Sequence, residues 1–325
     1  MTKWKERSWR RSVWSVGALK VLSAALLSIG LLVAPAVAAE AGWEAQNPRA
    51  ATYVLSGVWG LASDDVFAVG SRGTILHYDG TKWSQMQSGT KNNLEGVWGT
   101  ASDDVFTVGD GGTILHYDGD KWSSMKGGKD ELFLSVGGTG PDDVYAVGQG
   151  SGGTGGVGII FRYDGKTWTE VNTTGFSCVD IWGTAEDGIF VISTNPRAFL
   201  HFDGEEWSNP SKIPARNPAA GLWGFSGSDM FVVGDDGIAF HFSGEKWSRM
   251  TSGTKLYLDK VWGSASDDVF AVGKGGKILH YDGESWSAMD SGTDVWLKDV
   301  WGAASDDVFA VGEDGTILHY GGPEQ

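Results

Sequence analysis

Apolar residues in this chain fall in runs of four to seven, each cut off by a cluster of glycine and aspartate. In one copy the runs are Leu94–Thr100, Val105–Gly109, Thr113–Tyr117 and Lys121–Met125. Their separators are Ser102-Asp103-Asp104, Asp110-Gly111-Gly112 and Asp118-Gly119. Such runs are too short for helices and suit strands. Asp-Gly between them signals a hairpin, because glycine takes positive φ at no steric cost. The whole pattern then recurs. A Val-Trp-Gly triplet or a close variant marks each return, at Trp59, Trp98, Trp182, Trp223, Trp262 and Trp301, and a degenerate copy has Gly137 in the tryptophan position. The steps are 39, 39, 45, 41, 39 and 39 residues, which makes seven units.

A period near 40 in an all-strand pattern predicts propeller blades. The expected fold is all-β, a seven-bladed β-propeller with four antiparallel strands per blade around a channel. A second tryptophan series closes the units, at Trp83, Trp122, Trp168, Trp207, Trp247 and Trp286. Trp43 has no unit before it, and the last unit stops at Tyr320 without its closing tryptophan. The N-terminal strand around Trp43 is therefore expected to close the last blade by pairing with Thr316–Tyr320. Without it one strand edge would stay open.

Charge divides the chain in two. Residues 1–38 carry Lys3, Lys5, Arg7, Arg10, Arg11 and Lys20 against Glu6, then an apolar stretch Val21–Ala34 and the small-x-small pattern Ala36-Val37-Ala38. This reads as a secretory signal peptide, since the apolar run is shorter than the ~20 residues of a membrane span. Residues 39–325 form the expected propeller domain. Losing six bases and one acid takes the net charge from −16 to −21. An exported, periplasmic or extracellular protein follows, with no membrane span after cleavage. Bulk charge this acidic argues against nucleic acid. The one cysteine, Cys178, sits where other units have Leu94, Leu258 and Leu297, so it is expected to be a small buried hydrophobe.

The candidate chemistry is repetitive. All six histidines are one position, His77, His116, His201, His241, His280 and His319, with Arg162 in the remaining unit. A catalytic histidine is normally unique, so a structural bond to a nearby Asp or indole is expected, and blade positions this far out suit no metal. The Ser-Asp-Asp turns, such as Asp103-Asp104, read as Asx-type turns and match no calcium-loop spacing. No nucleophile elbow, phosphate loop or zinc-protease motif occurs. No cofactor, metal or catalytic residue is expected.

Paired glycine, then tyrosine, then tryptophan, as in Gly111-Gly112, Tyr117 and Trp122, is similar to kelch repeats. Over residues 42–325 the chain resembles the kelch and BNR kind of propeller found in secreted bacterial proteins. The unit is about ten residues shorter than a kelch repeat. It departs from the Asp-box in having Tyr-Asp-Gly-x-x-Trp, and it lacks the Gly-His and Trp-Asp pairs of WD repeats. The resemblance implies a propeller and leaves the function to the site.

Internal variation locates that site. Ser-Asp-Asp and Asp-Gly turns share one face and barely vary. The opposite face carries the Gly-rich insertion Gln149–Gly158, the insertion Asn209–Ala220 with Lys212 and Arg216, and Asn195-Pro196-Arg197 in place of a glycine turn. Long loops on a rigid ring are where function concentrates. Tyr53, Phe133, Tyr257 and Trp296 near the inner-strand starts offer aromatic contacts, and Arg197, Lys212 and Arg216 make this the least acidic region. These seven residues are the candidate ligand-binding set. The expected function is a monomeric, non-catalytic binding module or assembly scaffold for a protein or glycan. The alternative is a carbohydrate-active enzyme of the sialidase or lyase type. It would need an arginine cluster, whereas Arg49, Arg72, Arg162, Arg197, Arg216 and Arg249 are scattered over the units.

Overall fold

The computed structural model describes residues 42–46, 53–150, 156–194 and 198–321, which form seven four-stranded antiparallel sheets. The signal-like segment 1–38, Arg49, residues 151–155 and the Asn195–Arg197 turn lie outside the described residues. Blades 1 to 7 begin with the inner strands Leu55–Ala62, Leu94–Ala101, Leu132–Gly140, Cys178–Thr184, Ala219–Ser226, Leu258–Ala265 and Leu297–Ala304. Neighbouring inner strands touch all the way round, the seventh against the first included.

Closure follows the two termini. Gly42–Ala45 forms the outer strand of blade 7, with Gly42 opposite Gly321, Trp43 opposite Tyr320, Glu44 opposite His319 and Ala45 opposite Leu318. The Gln46 N–H extends the ladder to the Ile317 carbonyl at 2.8 Å.

The two tryptophan series have separate packing roles. Six outer-strand tryptophans meet an aromatic ring of the preceding blade edge-on. Trp122 stands on Phe67 at 6.1 Å and 82°, and Trp83 on Phe309 at 6.1 Å and 79°. Trp43 completes the series on Phe270 at 6.2 Å and 81°. Edge-to-face pairs add about 0.5–1.5 kcal/mol beyond area burial. The inner series explains its own glycine. A Cβ on Gly99 would stand 2.8 Å from the Trp59 ring, and one on Gly302 2.6 Å from Trp262. The glycine of one blade thus receives the indole of the blade before it.

The repeated histidines are structural. His77, His116, His241, His280 and His319 bond through Nε2 to Asp65, Asp104, Asp229, Asp268 and Asp307 at 2.6–2.7 Å. His201 uses the Asp187 carbonyl instead, and Arg162 replaces the ring with a 2.6 Å bond to Asp143. Each histidine also lies on a phenylalanine of the neighbouring strand, as His319 does on Phe309 at 4.2 Å. The second aspartate of Ser-Asp-Asp is therefore a clamp between strands. The Asx geometry belongs to the other turn, where Asp79 accepts the Thr81 and Lys82 N–H groups and Asp118 those of Asp120 and Lys121. These backbone bonds hold the Asp79 and Asp118 carboxyls below the usual range.

One clamp leaves a carboxylate oxygen buried and unpaired. Thr139 donates its hydroxyl to the second oxygen of Asp143 at 2.5 Å, and Thr100 and Ser264 do the same for Asp104 and Asp268. Blade 1 has Leu61 at this position, 51% exposed, and the second oxygen of Asp65 is buried without a partner. Leu61→Thr is expected to supply the missing donor and stabilise the protein by about 1 kcal/mol. A thermal melt at or below the wild-type midpoint would reject this account of the clamp.

Candidate functional site

The two faces of the ring spend their polar groups differently. On the Ser-Asp-Asp face the turns lock onto one another. A Cβ at Gly80 would come within 2.7 Å of the Asp64 Cβ, and one at Gly119 within 2.8 Å of that of Asp103. On the opposite face the inner strands begin, and there the channel opens into a cavity of about 220 Å³. It is lined by Ser56, Glu95, Leu134, Val179, Ala220, Asp259 and Lys298, with Tyr257 and Lys260. The first seven are the same position in seven blades, the residue after the buried start of each inner strand.

Two of the expected residues meet at this mouth. The Tyr257 and Trp296 rings form a T-shaped pair, 5.9 Å between centroids at 74°. Lys274 lies over both, 4.2 Å from the Trp296 centroid and 5.6 Å from that of Tyr257, and Lys298 lies over Trp296. The Trp296 indole N–H donates to Asp259. Burial pushes the Asp259 carboxyl up to about 6 against the pull of Lys298 and this indole bond. Burial also raises Glu95 and lowers Lys298, and it lifts the Tyr257 phenol to about 12.

The other expected residues lie elsewhere. Phe133 is fully buried and packs edge-on to Phe161 at 5.3 Å, so its ring belongs to the core and faces no ligand. It occupies the Leu55 position, one residue later than Tyr257 and Trp296, and one residue along a strand reverses the side chain's direction. Tyr53 is 41% exposed beside Arg72, whose guanidinium lies 4.6 Å from the ring centroid. The Asn209–Ala220 insertion is partly core, because Ile213 and Ala215 are buried while Lys212 and Arg216 point outward. Arg216 lines a separate cavity with Asp236, Phe240 and Arg249, away from the channel mouth. Arg197 lies outside the described residues. Cys178 is buried, which pushes its thiol up to about 11, in keeping with a packing role.

Below the mouth lies a layer that sequence reading missed. Lys260 bonds Asp180 at 2.5 Å. Asp180 also accepts the Leu222 N–H at 2.8 Å and the Ser135 hydroxyl at 2.7 Å. Asp299 accepts the N–H groups of Val58 and Val300, both at 2.9 Å. Burial pushes Asp299 up to about 7 although Lys260 pulls it down. The same burial acts to lower Lys260, and Asp180 and Asp299 more than offset it. Asp180 and Asp299 each clasp the first backbone of the next blade. The available signal was variation inside a constant strand. Between the buried first residue and the Val-Trp-Gly triplet, two positions read Ser-Gly, Glu-Gly, Leu-Ser, Val-Asp, Ala-Gly, Asp-Lys and Lys-Asp.

These features define a seven-bladed β-propeller with a mixed aromatic and ionic channel mouth. No protein-family model and no curated protein sequence matches the chain, so the kelch-like and BNR-like motifs place it in no family. Solved structures do resemble it. One is "YCF48 bound to D1 peptide", with TM-score 0.70 and 16% identity, covering 90% of this chain and 100% of that one. A second is YCF48 from Cyanidioschyzon merolae, with TM-score 0.68, 17% identity and coverage of 86% and 99%. The WD40 β-propeller domain of Doa1 follows, with TM-score 0.67, 10% identity and coverage of 87% and 98%. At these identities the likeness establishes the fold.

Proposed function

We propose that this protein is an exported, non-catalytic binding module that holds a protein partner on the face where the inner strands begin. The observation that carries the reading is the partly buried Tyr257–Trp296 pair under Lys274 and Lys298 at the channel mouth. Aromatic rings and cations of this kind anchor partner side chains. On the other face the second aspartate of the Ser-Asp-Asp turns, such as Asp104, is engaged by a histidine, and the Asp-Gly aspartates, such as Asp118, by turn backbone. That a propeller of the same architecture was solved with a bound peptide supports a peptide segment as the partner. Export rests on residues 1–38, with cleavage after Ala38. Among the described residues no arginine lines the channel-mouth cavity, which gives the sialidase-like alternative no support there.

A peptide array and a glycan array, each probed with the purified protein, test the partner class. Peptide capture is expected. Trp296→Ala should weaken a captured peptide by about 2 kcal/mol or more, and Asp103→Asn on the other face should leave it unchanged. Capture of glycans alone would move the partner class. Loss on Asp103→Asn with none on Trp296→Ala would move the site to the acidic face. The mass of the exported protein should begin at Ala39.

A further inference from the structure

The seven residues at the channel mouth are sorted by chemistry around the ring. Leu134, Val179 and Ala220 come from three consecutive blades and make an apolar arc. Asp259, Lys298, Ser56 and Glu95 come from the other four and make a polar one. By blade order Lys298 stands across the channel from the arc, and Glu95 and Asp259 flank its two ends. Leu134 and Val179 are only partly covered, so the arc presents apolar surface to the cavity. The Lys298 ammonium lies over Trp296 and has no carboxylate within salt-bridge distance among the described residues.

The cavity is small and borders the ion-pair layer. Its 220 Å³ falls below the ~300–1,000 Å³ of drug-sized sites. The layer beneath carries the Lys260–Asp180 pair, and the adjacent inner strands approach closely there, since a Cβ on Gly221 would lie 2.8 Å from the Lys260 Cα. The part of a ligand that fits inside it is about one residue in size, so its apolar and charged groups must lie close together.

Charge selects among such units. A lone carboxylate reaching Lys298 would face Glu95 and Asp259, and a lone amine between those two would face Lys298. A zwitterion satisfies both and leaves the site's net charge unchanged. We propose that the channel mouth binds one free aliphatic α-amino acid. Its branched side chain lies on Leu134, Val179 and Ala220, its carboxylate at Lys298, and its ammonium between Glu95 and Asp259. The site shares the channel mouth and Lys298 with the proposed partner surface but needs no partner, so the peptide array can fail while leucine binds, and the reverse.

Calorimetry on the intact protein with four probes tests it: L-leucine, N-acetyl-leucine, leucinamide and 4-methylpentanoate. L-leucine is expected to saturate one site, and each analogue lacking an end group to bind at least tenfold more weakly. Lys298→Met removes the carboxylate partner, and Ala220→Phe fills the arc. Both should abolish leucine binding, with melting curves confirming that each variant is folded. Glu95→Gln should weaken leucine and narrow its advantage over N-acetyl-leucine. N-acetyl-leucine binding as tightly as leucine would make this a reader of peptide carboxyl termini, and leucinamide doing so a reader of peptide amino termini. Either result overturns the proposal. So does the absence of saturable leucine binding at millimolar concentration, or leucine binding that survives in both Lys298→Met and Ala220→Phe.

Discussion

Deleting Gly42–Gln46 is expected to lower the melting temperature sharply and to convert the protein into an aggregating species. The segment is the entire outer strand of blade 7, paired over four residues with Gly321–Leu318. Its removal takes away Trp43, which touches Phe270 of blade 6 and Tyr320 of its own blade. Loss of a large core aromatic costs roughly 3–5 kcal/mol. The deletion also bares the N–H and C=O groups of Ile317–Gly321, a template for pairing with another chain. Melting followed by size-exclusion chromatography reads both effects. A wild-type midpoint with a monomeric profile would show that the ring does not depend on this strand. Trp43→Ala, which keeps the ladder, should lower the melting point without the aggregation.

Lys260→Met is the second substitution expected to cost much. Lys260 is the cation of a buried group in which Asp180 is its direct partner and Asp299 its second carboxylate. Removing one partner of a buried ion pair destabilises by about 3–5 kcal/mol, because the remaining charge is left uncompensated. The loss should depend on pH. Burial already raises Asp299 to about 7, above its value in the unfolded chain, so its folded form favours the proton. The folded state therefore binds more protons than the unfolded state between about pH 4 and 7, and stability falls as pH rises through that window. Asp259, pushed up to about 6, acts in the same direction. Lys260→Met removes the charge that holds Asp299 down, so its penalty should be greatest above pH 7 and shrink on acidification toward pH 5. Below about pH 4 the trend reverses in both proteins. The turn aspartates such as Asp79 and Asp282 are held below their unfolded values, and the stability they contribute is lost as pH falls through their folded values. The double variant Lys260→Met, Asp299→Asn should recover part of the loss at pH 8. A Lys260→Met melting profile parallel to the wild type from pH 5 to 8 would show that these groups are not coupled.

The amino-acid sequence by itself determined the ring. Spacing of Val-Trp-Gly counted the blades, strand-length runs gave four strands to each, and the unpaired Trp43 and truncated last unit specified closure. These are local or periodic properties, written once per blade, so repetition makes them readable. It also marked the histidines as structural, because a position filled six times is unlike a reactive centre. Tyr257 and Trp296 were legible for the opposite reason, as bulky departures at inner-strand starts. Only the tertiary structure decided what those departures do together. Phe133 went to the core because it lies one residue further along its strand, where the side chain turns the other way. Ile213 and Ala215 drew half of the long insertion into the core. Lys260, Asp180 and Asp299 are up to 119 positions apart in the chain and became one buried group because seven inner strands converge on one axis. Ring closure places residues one period apart side by side, and a linear pattern does not show which of the variable residues will then face each other across the channel.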